Sequence, residues 1–447
     1  MTPTSPRCVT RFAPSPTGRL HVGNIRAALH NALFARANSG QFVLRIDDTD
    51  SERSSQAFAD AIHADLIWLG LTPDLTVRQS DRFDLYATHF DRLKATGHVY
   101  ACYETPEELD VRRKVLLGRK LPPVYERKSP DAPAPEGIAP HWRFRLDHAA
   151  PIEWDDLIRG HQKFDPALIS DPVVRRADGS WLYLLPSVID DIDLGITHIV
   201  RGEDHVSNSA TQIQMFAALG APTPHLAHEA LLVAGGEEGG AKLSKRLGST
   251  GVDGLRDAGI EPLALLSLLA RLGTSRPVEA RTSLAELAEN FDFATFGRAP
   301  AHFDLAEVEQ LNAKLLHMTD FADVADRLPE GTSEADWTAL RGNVAHLGEI
   351  ALWLPVLHGD IAPPEVVPDD KPLLALAVSA AQQLDWANDP WRQLVDALKA
   401  SSGRKGRALF HPLRLALTGH DSGPEMAALL PIIGRERAIA RLQHAAS

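Results

Sequence analysis

Cysteine and long hydrophobic runs are both scarce in this sequence. Only two cysteines, Cys8 and Cys102, occur among 447 residues, too few for a disulfide framework or a cysteine-rich metal cage. No uncharged apolar run reaches the roughly 18 residues that a membrane-spanning helix needs, and the first residues lack the apolar segment of a secretory signal. These absences predict a protein of the reducing cytoplasm with no membrane partner.

Positive charge is also in deficit, because 46 Lys and Arg stand against 59 Asp and Glu, a formal net charge of -13. Proteins that coat nucleic acid without sequence preference need a positive excess, so that class is excluded, whereas a local basic surface is not. After residue 400, seven bases stand against three acids. A solvated helical surface explains this surplus as readily as an RNA-binding surface does.

The amounts of hydrophobic (44%) and charged (23%) residues are typical of globular domains, and the length allows about three of them. Residues 8–12 read as a strand, 14–18 as a Pro/Gly turn, 23–37 as a helix and 42–46 as a strand, which together predict a parallel βαβ unit. Prolines interrupt the pattern over residues 100–172. Strands are predicted again at 181–185 and 197–200, followed by a helix at 209–219.

Beyond residue 301 the sequence shows helical spacing almost throughout, at 305–316, 337–354, 373–384, 391–400 and 426–441. We therefore predict an α/β domain of Rossmann type, with a doubly wound parallel sheet, formed by residues 1–99 and 173–250. Residues 100–172 form an inserted subdomain, 251–302 a linker region and 303–447 an all-α domain.

The first candidate site is the strand-to-helix turn that contains His21, Gly23 and Asn24. A helix start offers unpaired backbone N–H groups to a phosphate, and a glycine lets a nucleotide lie close to the backbone. A histidine just ahead of the helix can donate to phosphate oxygens whose charge grows in a transition state. Taken alone, the motif is equally compatible with an eased turn and a surface histidine.

The second candidate site follows the glycine-rich residues 235–240 and contains Lys242, Ser244, Lys245 and Arg246. A mobile loop with these cations can close over a triphosphate and neutralise it. An exposed basic turn is the alternative. Neither motif is specific by itself.

The two motifs together are specific, since His-x-Gly at the first helix of a βαβ unit and Lys-x-Ser-Lys after its last strand are how class I aminoacyl-tRNA synthetases hold ATP. From Arg11 to nearly its end, the chain resembles the bacterial glutamyl-tRNA synthetases. Further stretches that resemble the family, in the family's order, are residues 44–50, 183–191, 198–204, 412–419 and 434–437.

The resemblance implies that ATP with Mg²⁺ activates L-glutamate, and that the 3′-terminal adenosine of tRNA(Glu) then takes the glutamyl group. It implies that residues 100–172 bind the acceptor stem and 303–447 the anticodon, with Arg404, Arg407, Arg414 and Arg435 as candidate tRNA contacts. Relatives need bound tRNA before they activate glutamate, and they are monomers. No arginine occurs at 343–362, where relatives that discriminate against tRNA(Gln) place one, so charging of tRNA(Gln) stays open.

Site residues follow from the same motifs. Guanidinium groups distinguish a γ-carboxylate from an amide, and Arg11 and Arg201 match the family's positions for them. Asp47 matches the ammonium-binding position, although the family usually has glutamate there, and Ser187 stands where many relatives have asparagine. The glutamate pocket is completed by Ala13, Ser15 and Tyr183. ATP is assigned to His21, Gly23, Asn24, Lys242, Ser244, Lys245 and Arg246, of which His21, Lys242 and Lys245 are the catalytic candidates.

Other interpretations of the sequence remain open. Some relatives hold zinc in the inserted subdomain, but Cys102 has no second cysteine nearby, so no zinc is expected. A truncated homologue that modifies a tRNA base, or a small nucleotidyltransferase, would not need the roughly 140 residues after 301. A catalytically silent RNA-binding protein, and a C-terminal bundle that binds protein, are the alternatives from another class.

Overall fold

The computed structural model describes residues 7–50, 52–128, 134–234 and 251–447. The chain forms two compact units. The first comprises residues up to Ala258 and Leu265–Leu305, and the second comprises Gly259–Ala264 and Ala306–Ser447. Within the described ranges, no helix combines the length and the apolar character that crossing a membrane requires.

Twelve strands are described, and all of them lie in the first unit. They are β1 (Val9–Phe12), β2 (Gln41–Ile46), β3 (Leu75–Arg78), β4 (Val99–Cys102), β5 (His141–Phe144), β6 (Ile152–Asp156), β7 (Gly160–Phe164), β8 (Val173–Arg175), β9 (His198–Gly202), β10 (His225–Glu229), β11 (Leu232–Ala234) and β12 (Ala301–Phe303).

The described helices, apart from short 3-10 turns, are distributed over both units. They are α1 (Val22–Ala37), α2 (Gln56–Trp68), α3 (Phe83–Ala95), α4 (Pro106–Gly118), α5 (Leu184–Asp193), α6 (Val206–Ala218), α7 (Val252–Asp257), α8 (Pro262–Leu269), α9 (Leu284–Ala288), α10 (Leu305–Met318), α11 (Phe321–Val324), α12 (Glu334–Leu340), α13 (Ile350–His358), α14 (Lys371–Ala381), α15 (Pro390–Ser402), α16 (Arg407–Thr418), α17 (Met426–Ile433) and α18 (Arg435–Ala446).

The centre of the first unit is a parallel sheet of five strands in the order β10-β9-β1-β2-β3. All four residues of β1 and five of the six in β2 are buried, as expected for a parallel sheet with both faces covered. This confirms the predicted Rossmann-type fold. The segment between β3 and β9 adds an antiparallel sheet, β4-β5-β8, and the hairpin β6–β7.

The second unit is helical within its described residues, and it has its own apolar core. Trp337 is fully buried in this core, together with leucines from eight helices of the unit. The helical prediction for the C-terminal third is confirmed. The core residues on these helices include Leu374, Leu398, Leu413, Leu430 and Leu442.

Several predicted elements are wrong in type or extent. Residues 181–185 are not a strand, because Trp181 makes one isolated bridge to Arg175 and α5 begins at Leu184. Pro186 lies in the first turn of α5, where its missing N–H costs no helical hydrogen bond. The predicted helix at 337–354 is two helices, α12 and α13. The helix predicted at 426–441 divides at Gly434, whose φ of 80° is left-handed. Helix α16 was not predicted.

Candidate active site

A cavity of about 710 Å³ lies at the carboxyl ends of β1 and β9 in the first unit. From β1 the sheet extends to β2 and β3 on one side and to β9 and β10 on the other. Doubly wound sheets bind ligands at this kind of switch point. The structure brings together at this cavity every predicted ATP-binding and glutamate-binding residue that it describes: Arg11, Ala13, Ser15, His21, Gly23, Asn24, Asp47, Tyr183 and Arg201.

His21 is the N-cap of α1, and its own hydrogen bonds define its tautomer. Its Nδ1 accepts from the backbone N–H of Gly23 at 3.1 Å and of Asn24 at 3.4 Å, while the Asn24 side chain accepts from the His21 N–H. Nδ1 therefore carries no proton, and Nε2–H is left as a donor. Desolvation lowers the pKa of His21, which keeps the ring neutral. A neutral N–H donor at a helix N-terminus suits a phosphate ligand.

Arg201 is a buried cation that forms no ion pair with a carboxylate of the described residues. Its side chain donates to the Tyr183 hydroxyl at 3.0 Å, to Ser209 Oγ at 2.6 Å and to Gln212 Oε1 at 2.7 Å. Its Nε is buried and has no hydrogen-bond partner among the described residues. Burial lowers the pKa of Arg201, and the neighbouring Arg11 adds to that effect. This part of the cavity is therefore suited to an anionic group.

Arg11 lies beside this cation and is anchored from behind. Its Nε donates to Asp191 at 3.2 Å, and Asp191 also accepts from Arg45 at 2.7 Å. Arg45 is fully buried and donates through Nε and Nη2 to both carboxylate oxygens of Asp47, at 2.6 and 3.1 Å. The buried Arg45 guanidinium thus holds Asp47 directly, and it holds Arg11 through their shared partner Asp191.

Asp47 is 6% exposed and lies in the cavity wall. Burial raises its pKa to about 6, against the opposing effect of Arg45. The two neighbouring acids have structural partners instead. Asp48 pairs with Arg78, and Asp50 accepts a backbone hydrogen bond within its own turn.

Ser187 is fully buried and does not line the cavity. Its hydroxyl accepts from Gln212, the residue that also binds Arg201. A serine here therefore acts through Gln212 and does not reach the cavity itself.

The second predicted motif lies outside the described residues. This holds for Lys242, Ser244, Lys245 and Arg246, which fall in 235–250. The described range that precedes this motif ends with β11, whose residues Leu232 and Val233 line the cavity.

Four further polar residues of the cavity wall are not predicted from the sequence: Arg26, Asp204, His205 and Glu229. Arg26 lies one turn beyond Gly23 on α1 and pairs with Glu229, which also pairs with the buried His30. Burial, together with the nearby Arg201, lowers the pKa of His205 to about 4. Two of these residues could have been found from the sequence: Arg26 follows Gly23 at helical spacing, and Asp204 is the last residue of the stretch 198–204 that resembles the family. No pattern in the sequence indicated Glu229.

The four candidate tRNA-binding arginines lie in the second unit and differ in their surroundings. Arg407 and Arg435 are exposed. Arg404 forms an ion pair with Asp370, so this arginine has a structural role within the unit. Arg414 donates to the Pro424 carbonyl at 2.9 Å, while its Nη1 is buried and lacks a partner among the described residues. Arg407 and Arg435 are therefore more accessible to RNA than Arg404 and Arg414.

Cys102 lies in a small polar cluster that sequence spacing could not indicate. The pairing of β4 with β5 places Cys102 opposite His141, and the ligand atoms of Cys102, Glu104 and His141 lie within 4.8 Å of one another. Glu104 is already bound by Lys128 at 3.2 Å and by the Tyr125 hydroxyl at 3.1 Å. The absence of zinc remains a prediction for this cluster.

Comparison with known proteins identifies the class. A family model described as "tRNA synthetases class I (E and Q), catalytic domain" matches residues 7–310, and one described as "Anticodon binding domain" matches 365–446. The fold and the site are thus those of a class I tRNA synthetase.

Individual relatives define the family more closely. The chain is 64% identical to glutamate–tRNA ligase 2 of Sphingopyxis alaskensis over 98% of each chain. It is 59% identical to glutamate–tRNA ligase 1 of Rhizorhabdus wittichii over 98% of this chain and 100% of that protein. A crystal structure of a glutamate tRNA ligase from Elizabethkingia meningosepticum in complex with its amino acid matches with a TM-score of 0.82, 26% identity, and coverage of 98% and 99%. The chain belongs to the glutamate–tRNA ligase family.

Proposed function

We propose that the cavity between β1 and β9 is where this ligase activates L-glutamate with ATP and passes the glutamyl group to tRNA(Glu). The observation that carries the proposal is Arg201, a buried guanidinium that lacks a carboxylate partner among the described residues. With Arg11 it binds the γ-carboxylate of glutamate. Tyr183 completes this end of the pocket, and Ala13, Ser15 and Asp47 hold the α-ammonium end.

The reaction needs positioning and charge neutralisation, and no protein nucleophile. The α-carboxylate of glutamate attacks the α-phosphorus of ATP, and pyrophosphate leaves. The terminal ribose hydroxyl of tRNA then attacks the carbonyl carbon of the adenylate, and AMP leaves. His21 Nε2–H, at the positive N-terminal end of α1, stabilises the phosphate charge. Lys242, Lys245, Ser244 and Arg246 are proposed to close over the triphosphate, which carries Mg²⁺ as part of the substrate.

The same arginines account for the choice of glutamate over glutamine. A carboxylate accepts charged hydrogen bonds from a guanidinium, whereas the amide of glutamine presents N–H donors to N–H donors. The buried donors would then stay unpaired, which costs more than a missing contact at the surface.

Recognition of tRNA is proposed to involve both units. The segment 100–172 binds the acceptor stem by shape, phosphate and 2′-hydroxyl contacts, and residues 303–447 bind the anticodon. Residues 1–99 and 173–250 form the catalytic domain, and 251–302 link it to the anticodon-binding domain. Of the four candidate arginines, Arg407 and Arg435 are the proposed RNA contacts, because their side chains are exposed. We expect a cytoplasmic monomer.

The test is aminoacylation with labelled glutamate, run in parallel on purified tRNA(Glu) and tRNA(Gln). Charging of tRNA(Glu) is expected, and charging of both would mark relaxed tRNA choice. Exchange of pyrophosphate into ATP is expected only when tRNA is present, which provides the control. Charging of tRNA(Gln) alone would change the assigned substrate. Failure to charge either tRNA while ATP still binds would favour the silent RNA-binding alternative.

The pH dependence of glutamate use tests the role of Asp47. Its pKa is raised to about 6, so the carboxyl is charged above that pH and neutral below it. A neutral carboxyl cannot pair with the α-ammonium group, so kcat/KM for glutamate should fall about tenfold per pH unit below about pH 6. The measurement is kcat/KM between about pH 5 and about pH 8 with saturating tRNA.

Asp47→Asn should lower kcat/KM and remove this acid limb. The matched control is Asp48→Asn, a neighbouring carboxyl bound by Arg78 and Ser80, which should keep the limb. An acid limb that persists in Asp47→Asn would assign the titration to another group.

A further inference from the structure

Three buried polar side chains form a chain of hydrogen bonds behind Arg201. Ser209 Oγ accepts from Arg201 Nη2 at 2.6 Å and lies 2.7 Å from His228 Nε2. His228 Nδ1 is in turn hydrogen-bonded to Asp156 Oδ2. Ser209 is 1% exposed, His228 0% and Asp156 4%, so solvent does not compete for these bonds.

The direction of each hydrogen bond follows from Asp156. Its Oδ1 accepts from three backbone N–H groups, those of Ile158, Arg159 and His228, at 2.9 to 3.1 Å. Burial acts to raise the pKa of Asp156, but the hydrogen bonds from His228 and from the backbone outweigh it and lower the pKa. An ionised Asp156 accepts from Nδ1–H, which leaves Nε2 of His228 as an acceptor.

Ser209 therefore donates its proton to His228 and presents its lone pairs to Arg201. The alternative acceptor for this proton, the His205 carbonyl, lies farther away at 3.3 Å. A hydroxyl oriented in this way is a fixed acceptor for one N–H of the guanidinium. Burial lowers the pKa of His228, which keeps the ring neutral and the chain of bonds in this direction.

Serine, histidine and aspartate in this order also occur in hydrolases, where the serine is a nucleophile. Here Ser209 is almost completely enclosed, and its oxygen faces a guanidinium. A substrate carbonyl has no approach to it. The geometry suits a positioning role and not acyl transfer.

Asp156 connects this chain of bonds to the inserted segment, because it is the last residue of β6. The turn after β6 lies against β10 through the bond from Leu157 N–H to the Leu226 carbonyl at 2.8 Å. In the same turn, Arg159 pairs with Glu203, which directly follows β9. The hairpin therefore carries its carboxylate to the strand ends that hold Arg201.

We propose that Asp156, His228 and Ser209 are a positioning relay that fixes the Arg201 guanidinium for the γ-carboxylate of glutamate, with one end supplied by the inserted segment. This rests on the proposed function, in which Arg201 binds that carboxylate. Since the relay acts through Arg201, its loss should raise the KM for glutamate and leave kcat and the KM for ATP almost unchanged.

The test is a double-mutant cycle on the full-length enzyme with saturating tRNA(Glu), with KM for glutamate and for ATP and kcat as readouts. Ser209→Ala removes one acceptor of a charged donor and should raise the KM for glutamate about tenfold. Asp156→Asn should favour the other tautomer of His228, in which Nε2–H donates to Ser209. This variant should raise the KM for glutamate about fivefold. In the Ser209→Ala background, Asp156→Asn should have no further effect on this KM.

The matched control is Asp171→Asn. Asp171 is another buried acid of the inserted segment, bound by Tyr100, Arg127 and the Leu146 N–H, without a link to Arg201. Its replacement should lower the melting temperature and leave the KM for glutamate unchanged. Should Asp156→Asn fail to fold, His228→Gln takes its place in the cycle.

Equal effects of Asp156→Asn in both backgrounds, or an unchanged KM for glutamate in Ser209→Ala, would overturn the relay. Arg201→Lys separates this failure from a failure of the proposed function. If Arg201→Lys raises the KM for glutamate while the relay variants do not, only the relay is wrong. If Arg201→Lys leaves it unchanged, Arg201 is not the γ-carboxylate ligand.

Discussion

Arg201→Gln should lower kcat/KM for glutamate by about 10³-fold, the effect of removing one partner of a buried charge pair. Glutamine retains a polar side chain but not the positive charge. The γ-carboxylate of glutamate would then enter the cavity without a cation at this position. The measurement is tRNA-dependent aminoacylation at varied glutamate concentration.

The thermal stability of Arg201→Gln should not fall with its activity, and this combination makes the prediction specific. Without substrate, Arg201 is a desolvated cation that no described carboxylate neutralises, so its charge is a cost to the free protein. The melting temperature of Arg201→Gln should therefore equal or exceed that of the parent. A large loss of stability together with activity would mean that Arg201 has a structural role.

Arg45→Gln provides the matched contrast. Arg45 is fully buried like Arg201, but it contacts Asp47, Asp190 and Asp191. Its removal leaves these carboxylates buried without their shared cation, and we expect a loss of about 3–5 kcal/mol in the free energy of unfolding. Two buried arginines in one unit should thus give opposite changes in stability.

Replacement of His21 is the second prediction with a large effect. His21→Asn should lower kcat by about 10²–10³-fold, the range found when one donor to a developing anion is removed. Asparagine keeps an oxygen that can accept from the N–H groups of Gly23 and Asn24, so the cap on α1 survives while the Nε2–H donor is lost.

His21→Ala is the control for this prediction. It removes the donor and the cap together, so kcat should fall by the same factor, and stability should fall by about 1 kcal/mol. Thermal unfolding and single-turnover adenylation measure the two effects separately. If His21→Asn retained full kcat, the role of His21 would be to cap the helix and not to bind phosphate.

Local signals in the sequence were sufficient for the first βαβ unit. Residues 23–37 were predicted as a helix and 42–46 as a strand, and the structure has α1 and β2 within one residue of those bounds. A short run from Trp181 to Leu185 was assigned to the wrong type, because an apolar run of five residues fits a strand and the start of a buried helix equally well. Pro186 was the available signal against a strand.

Helix boundaries in the second unit depended on backbone conformation that hydrophobic spacing does not report. Apolar residues continue at helical intervals across Gly434, so one helix was predicted where there are two. The left-handed φ of Gly434 interrupts the helix without disturbing the spacing of its neighbours.

The sequence by itself determined the family and the first βαβ unit, because motifs such as the one around His21 are local and keep their spacing. Only the tertiary structure decided what supports them. Arg45 of β2 pairs with Asp191 of α5, 146 residues away in the chain, and His228 of β10 pairs with Asp156 of the β6–β7 hairpin, 72 residues away. Both pairs form only because the fold packs a helix and a hairpin against the central sheet. Burial then determines their charges, and burial is a property of the folded chain that no local pattern contains.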